Sequence, residues 1–320
     1  MKIERLFIYC LLAGTFLLAS CSNEDVTDNP VETLPEGMYP LTFTATGLEI
    51  APTSRATADG TWTTGDKVAV KVKDESEVKE YTAADGSGAS TTLKAAEGVI
   101  PFYWKSTDET KDVSAWYCGT GYNASLPTTW SVQPDQGSDG NYQKSDFLYA
   151  KGTLSFNGNK SLTFYHQVAK VVVNIRNYGV VSDASTINSV SIKAITDGTF
   201  TPSLNENNCG LSSKSAGTPS GITPFKLSYP NTGVIFEDGE NGETAFASYQ
   251  ALVIPQVLGT NTPIEIQIEG YDTFTYTPNG SWAGGTQYTY NLTIKGSEVT
   301  ATTGSITWKE GDSGSGSVEI

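Results

Sequence analysis

Apolar and polar positions alternate with a period of two in several separate stretches of this chain. Leu41-Thr-Phe43-Thr-Ala45, Val68-Ala-Val70-Lys-Val72 and Leu154-Ser-Phe156 show the pattern. So do Ile264-Glu-Ile266-Gln-Ile268-Glu and Tyr288-Thr-Tyr290-Asn-Leu292-Thr-Ile294. Period two predicts strands with one face in a core and the other in water. Val168 to Ile175 is denser in apolar residues and predicts a central strand. Asp59-Gly60, Asp85-Gly86, Asp139-Gly140, Asn157-Gly158, Asp197-Gly198, Asp238-Gly239 and Asn279-Gly280 mark turns, because Asx-Gly tolerates positive φ. Helical stripes and solenoid-length repeats are missing from the sequence. Many short strands between such turns predict an all-β chain of sandwiches. The turn at Asn157-Gly158-Asn159-Lys160 is the expected boundary between an N-terminal sandwich, 39–157, and a C-terminal one, 158–320. Thr201 to Pro224, rich in Asn, Ser, Gly and Pro, reads as a surface loop.

The first forty residues follow a different pattern. Lys2 and Arg5 precede an apolar run from Leu6 to Ser20, too short to cross a bilayer, which reads as a signal peptide over residues 1–20. The run ends in Leu18-Ala19-Ser20-Cys21, which resembles a bacterial lipobox and makes Cys21 the candidate lipidation site. Asn23-Glu24-Asp25 resembles the signal that sends lipoproteins of the Bacteroidia to the outer face of the outer membrane. Residues 21–38, with Pro30 and Pro35 among scattered acids, read as a lipidated flexible tether.

Charge narrows the partners. Lys and Arg number 20 against 35 Asp and Glu, a net −15. Loss of Lys2, Arg5 and Glu4 with the signal leaves −16. That excess argues against nucleic acid and anionic membrane surfaces. Cys118 and Cys209, 91 positions apart, read as two separate thiols rather than a bridge, and no pair has metal-ligand spacing. His166, alone of its kind and inside a strand, reads as structural. Nucleophile-elbow, zinc-protease and phosphate-loop motifs do not occur, so neither an enzyme nor a cofactor is expected. The acids around Asp135-Gln-Gly-Ser-Asp139-Gly lack the spacing of a known calcium loop and read as a solvated turn. Trp62, Trp104, Trp116, Trp130, Trp282 and Trp308 are candidate sugar platforms, although core packing is the commoner use of such residues.

An ordered series of segments then resembles one family. Leu41–Ala45 is followed by Thr53-Ser-Arg55-Ala-Thr57 and by Trp62-Thr-Thr-Gly-Asp66-Lys-Val-Ala-Val70. Phe164–Ile175, Tyr249–Gln256, Gly285–Leu292 and Ile306-Thr-Trp308 complete it. The series is similar to the fimbrillin-like proteins, the type V pilins and related lipoproteins of the Bacteroidia. The resemblance implies two tandem transthyretin-like β-sandwich domains and a pilus subunit or adhesin at the outer surface of the outer membrane. It also implies cleavage by an arginine-specific protease between Arg55 and Ala56. The strand bearing Leu41, Phe43 and Ala45 then leaves, and a strand of another pilus subunit fills its groove head-to-tail. Val318-Glu-Ile320 offers only two alternating apolar residues as a donor, which speaks against a shaft subunit. The rival reading is a carbohydrate-binding surface lipoprotein of a glycan-uptake system, so a glycan or host-surface ligand stands as a further candidate partner.

Overall fold

The computed structural model describes residues 33–47, 59–86, 88–119, 121–138, 140–177, 187–202, 209–227, 247–295, 298–307 and 316–319. The first described strands are β1 (Phe43–Thr46), β2 (Lys67–Val72), β3 (Val78–Ala83), β4 (Thr91–Ala95) and β5 (Thr110–Cys118). Next come β6 (Thr129–Ser131), the one-turn helix α1 (Asn141–Lys144), β7 (Phe147–Ser155), β8 (Ser161–Thr163) and β9 (Tyr165–His166). Then follow β10 (Ala169–Asn177), β11 (Ile187–Ala194), β12 (Asp197–Phe200), β13 (Leu211–Ser213), β14 (Ser220–Ile222) and β15 (Phe225–Lys226). The last are β16 (Ala247–Val253), β17 (Gln256–Val257), β18 (Ile264–Ile268), β19 (Phe274–Tyr276), β20 (Ser281–Trp282), β21 (Thr286–Lys295), β22 (Glu298–Thr307) and β23 (Gly316–Glu319). The chain is all-β, as its periodicity predicts.

An eight-stranded sheet runs β8-β1-β4-β3-β2-β5-β7-β9. Its two end strands, β8 and β9, are separated in the chain by Phe164 alone. Phe164 N–H donates to Thr46 O at 2.8 Å on one side, and Gln167 N–H donates to Phe147 O at 2.8 Å on the other. One bent segment therefore joins both ends of the sheet and wraps it round a core. Pleating sends alternate side chains into that core: Val68, Val70 and Val72 from β2, Val113, Ala115 and Tyr117 from β5, and Leu148, Ala150 and Leu154 from β7.

The other face of these strands is buried too. Ala69, Trp116, Cys118, Phe147 and Tyr149 enter a second core. There a six-stranded sheet, β15-β16-β10-β21-β22-β23, shares its apolar face with a four-stranded sheet, β14-β11-β18-β19. The expected central strand is β10, antiparallel to β16 and parallel to β21. From β18, Ile264, Ile266 and Ile268 are all fully buried, the strict alternation read from sequence.

The strands do not divide at the Asn157–Lys160 turn. β8 and β9 follow it yet pair with β1 and β7, while β6 precedes it yet pairs with β12. The turn joins β7 to β8, two strands of the same sheet. Two other stretches carry more pairing than their composition suggests. Thr201–Pro224 contains strands β13 and β14, anchored by buried Leu211 and Ile222, because polar short strands still pair through their backbones. Within the stretch read as tether, Leu34 N–H already donates to Lys105 O at 2.9 Å and Thr33 bridges Ser106.

Candidate functional site

β1 is held along both edges. It is antiparallel to β4, with Phe43 opposite Leu93, and parallel to β8, with Ala45 opposite Leu162. The segment leading into it is tied as well. Trp104 N–H donates to Tyr39 O at 2.9 Å, Leu41 N–H to Phe102 O at 2.7 Å, and Thr44 N–H to Lys160 O at 2.8 Å. Leu41, Phe43 and Ala45, the residues expected on its apolar face, are 0%, 2% and 0% exposed. Phe43 lies 6.0 Å from the Tyr81 ring, which stacks on Phe102 at 6.4 Å. Burial pushes the Tyr81 hydroxyl up to about 12. At the rim, Tyr39 meets Phe156 edge-on at 5.7 Å, and Lys160 Nζ sits 4.9 Å above that ring. Gly47 directly follows β1; its φ is +98° and an added Cβ there would fall 2.5 Å from Phe164 O. Only glycine fits there.

Arg55 and Ala56 lie outside the described residues, as does Cys21. The described residues resume at Asp59, which the sequence marks as an Asx-Gly turn. Gly60 does take φ +82°, but Asp59 itself is buried. Its Oδ1 accepts from Lys170 Nζ at 3.1 Å, Gln250 Nε2 at 3.0 Å and Tyr142 OH at 3.4 Å. Lys170 and Gln250 come from the reverse faces of β10 and β16, and Tyr142 from α1. Burial pushes the Lys170 ammonium below its usual range, against the opposing pull of Asp59. Burial, Asp59 and Asp146 together push the Tyr142 hydroxyl well up. His166, read as structural, is fully buried with Nδ1 2.9 Å from Asp146 Oδ1. Sequence reading missed this cluster because its members come from four distant segments with no shared motif.

Buried glutamines reinforce the junction by standing in for backbone. Gln136 Nε2 donates to Leu252 O at 2.7 Å, and its Oε1 accepts from Leu252 N–H at 2.8 Å. Gln256 Oε1 accepts from Ile195 N–H at 2.9 Å, and Gln167 Oε1 from Gly210 N–H at 2.8 Å.

The remaining candidates have structural surroundings. Trp62, Trp104, Trp116 and Trp282 are buried and Trp130 is half-buried, stacked on Phe147 at 5.1 Å, so these rings form no exposed sugar platform. Trp308 and Asp139 are outside the described residues. Asp135 caps its own turn, accepting from Gly137 N–H at 3.1 Å and from the Ser138 hydroxyl. Cys118 is a buried thiol pushed up to about 12 by burial, and Cys209 donates from Sγ to His166 O at 3.3 Å.

Comparison with known proteins places this geometry. The profile of the fimbrillin-like family matches residues 54–308. A candidate cell-adhesion protein of Bacteroides uniformis superposes with a TM-score of 0.58 at 18% identity, over 86% of this chain and 100% of that one. A second, from Bacteroides ovatus, gives 0.58 at 15% identity, over 85% and 99%. These likenesses show a shared fold. No curated protein matches the chain.

Proposed function

Because this chain belongs to the fimbrillin-like family, we propose that it is a non-enzymatic pilus subunit or adhesin, anchored at the outer membrane through a lipid on Cys21. Assembly proceeds by strand exchange. A protease cuts between Arg55 and Ala56, the segment carrying β1 leaves, and an extended strand from another subunit takes its place. The observation that carries this reading is the seating of β1. It pairs through its backbone on both sides and puts Leu41, Phe43 and Ala45 into the core. A segment held that way leaves two rows of unpaired backbone groups and an open apolar slot when it departs, which is the requirement for strand addition in trans. The contact is head-to-tail and does not close on itself, so it propagates. The lipid reading rests on the end of the apolar run at Leu-Ala-Ser-Cys21.

Incubating the purified full chain with an arginine-specific protease tests the proposal. A discrete cut after Arg55 followed by ladders or fibres supports it, and Arg55→Ala should block both. No cut under native conditions, or a cut product that stays a stable monomer, refutes strand exchange.

A further inference from the structure

The cluster around Asp59 gathers more ionisable chemistry than a structural junction requires. Asp59, Tyr142, Asp146, His166 and Lys170 are all buried. Each buried ion costs several kcal/mol of desolvation, and a well-packed apolar pair at such a place is often as stable or more so. The arrangement is also specific. Lys170 Nζ and the Asp59 carboxyl are 3.1 Å apart, both under 10% exposed. Two neutral donors, Gln250 Nε2 and Tyr142 OH, aim at the same Asp59 oxygen, Oδ1. That is the layout of an oxyanion hole, which stabilises charge as it develops on a carboxyl oxygen under attack. Asp146 is felt electrostatically by both Lys170 and Tyr142. Its Oδ1 is paired with His166, and its buried Oδ2 makes no hydrogen bond among the described residues.

We propose that Asp59 and Lys170 condense into an intramolecular isopeptide bond, with the folded cluster promoting a single self-directed reaction. The reacting form is the neutral pair, an amine and a carboxylic acid protonated on Oδ2 with Oδ1 as its carbonyl oxygen, which differs from the ion pair by one proton moved from Nζ to the carboxyl. A dry site favours that form, because it separates no charge. The Nζ lone pair adds to Cγ while Gln250 and Tyr142 hold the developing negative charge on Oδ1. A proton then leaves the nitrogen, and Asp146 Oδ2 relays it to the departing hydroxyl. The Cγ–N bond has formed, the Cγ–OH bond has broken, and one water has left; nothing is oxidised or reduced. Placement brings the two groups to the separation that effective intramolecular reactions need, roughly 3–3.5 Å between reacting atoms, after a small shift of Nζ towards Cγ. The bond would join positions 111 apart and fasten the turn before β2 to the central strand β10. It therefore braces the second core against the first, whether or not the chain is cut at Arg55.

Peptide mapping of the denatured full chain, recovered from its producing cells, decides the matter. The expected result is one branched peptide containing Asp59 and Lys170, lighter by one water than the two linear peptides together. Trypsin should not cut after Lys170. Lys170→Arg should restore both linear peptides. Linear peptides in the unsubstituted chain, with ordinary cleavage after Lys170, overturn the proposal. So does a water loss confined to a linear peptide and persisting in Lys170→Arg, since a succinimide at Asp59-Gly60 produces that signature.

Discussion

Replacing Phe43 with Ala tests how strongly the first core depends on β1. The ring is 2% exposed and packs on Tyr81, so the truncation should cost about 3–5 kcal/mol in transfer and cavity energy. The strand as a whole can be weighed in the same way. Leu41 and Phe43 are fully buried, at about 1.5–3 kcal/mol each. The backbone bonds at Tyr39, Leu41, Thr44 and Thr46 each contribute about 0.5–1.5 kcal/mol net. Together the segment supplies on the order of 5–12 kcal/mol, comparable with the roughly 5–15 kcal/mol by which a folded domain is stable at all. A cut chain should therefore keep its severed segment bound until another strand takes the slot. With Phe43→Ala the severed segment should bind about 10²- to 4 × 10³-fold more weakly, at 1.4 kcal/mol per decade. Thermal melting of intact and cut chains, with size exclusion to follow segment loss, reads both effects. Thr46→Ala, which removes a methyl group and a hydroxyl that makes only long contacts of 3.4 Å to Leu162 O and the Thr163 hydroxyl, should cost far less, about 0.5 kcal/mol. If Phe43→Ala melts like the parent chain, or if the cut parent sheds the segment and remains folded with unchanged melting, the reasoning about β1 fails.

Gly47→Ala should destabilise by more than the roughly 1–2 kcal/mol of a left-handed non-glycine residue, because its Cβ also meets Phe164 O; a denaturation midpoint unchanged from the parent would contradict this. Glu109 should contribute to acid sensitivity. Burial pushes its carboxyl up, but hydrogen bonds from the Lys111 side chain and the Lys105 amide outweigh that and hold it below the ordinary carboxylate range. Since the unfolded chain then binds more protons, this contribution is present above the ordinary carboxylate pKa and is lost as pH falls through the lowered one. Urea midpoints measured across that range should fall less steeply for Glu109→Gln than for the parent. Cys21→Ala should abolish metabolic labelling with palmitate, and full labelling of that variant would remove the lipid assignment.

Much of the fold was legible because alternation is a local property. Ile264–Ile268 declares its buried face by itself, and so do Leu41, Phe43 and Ala45. The arrangement of strands across the Asn157–Lys160 turn was less legible. Val68-Ala-Val and Trp116-Tyr-Cys depart from clean alternation because both faces of β2 and β5 are covered, Ala69, Trp116 and Cys118 entering the second core. A continuous apolar run announces burial on two sides, yet nothing in it says which partner covers the second. Asp59 was illegible for a sharper reason. Its turn signal is correct, and Gly60 adopts the conformation that the signal implies, but burial comes from Lys170, Gln250 and Tyr142, far away in sequence. Gln136, Gln167 and Gln256 look like surface residues for the same reason; each is buried where it pairs with a backbone N–H far away in sequence.

The two cores divide the labour in a way that suits exchange of β1. In the eight-stranded sheet, β1 lies between β8 and β4, whereas β2, β5 and β7 carry the residues that reach the second core. Leu41, Phe43, Ala45, Leu93 and Leu162 belong to the first core alone. Emptying or refilling the β1 slot thus alters contacts in one core and leaves the buried faces of β10, β16, β18 and β21 in place. Asp59 stands at the other end of the segment after β1, fixed to β10 and β16 by hydrogen bonds that β1 does not share. A cut at Arg55 would leave Asp59 only a few residues from the new chain end and still held. The product then loses one strand without unravelling into β2, and the slot keeps both of its walls, β4 and β8, for an incoming strand.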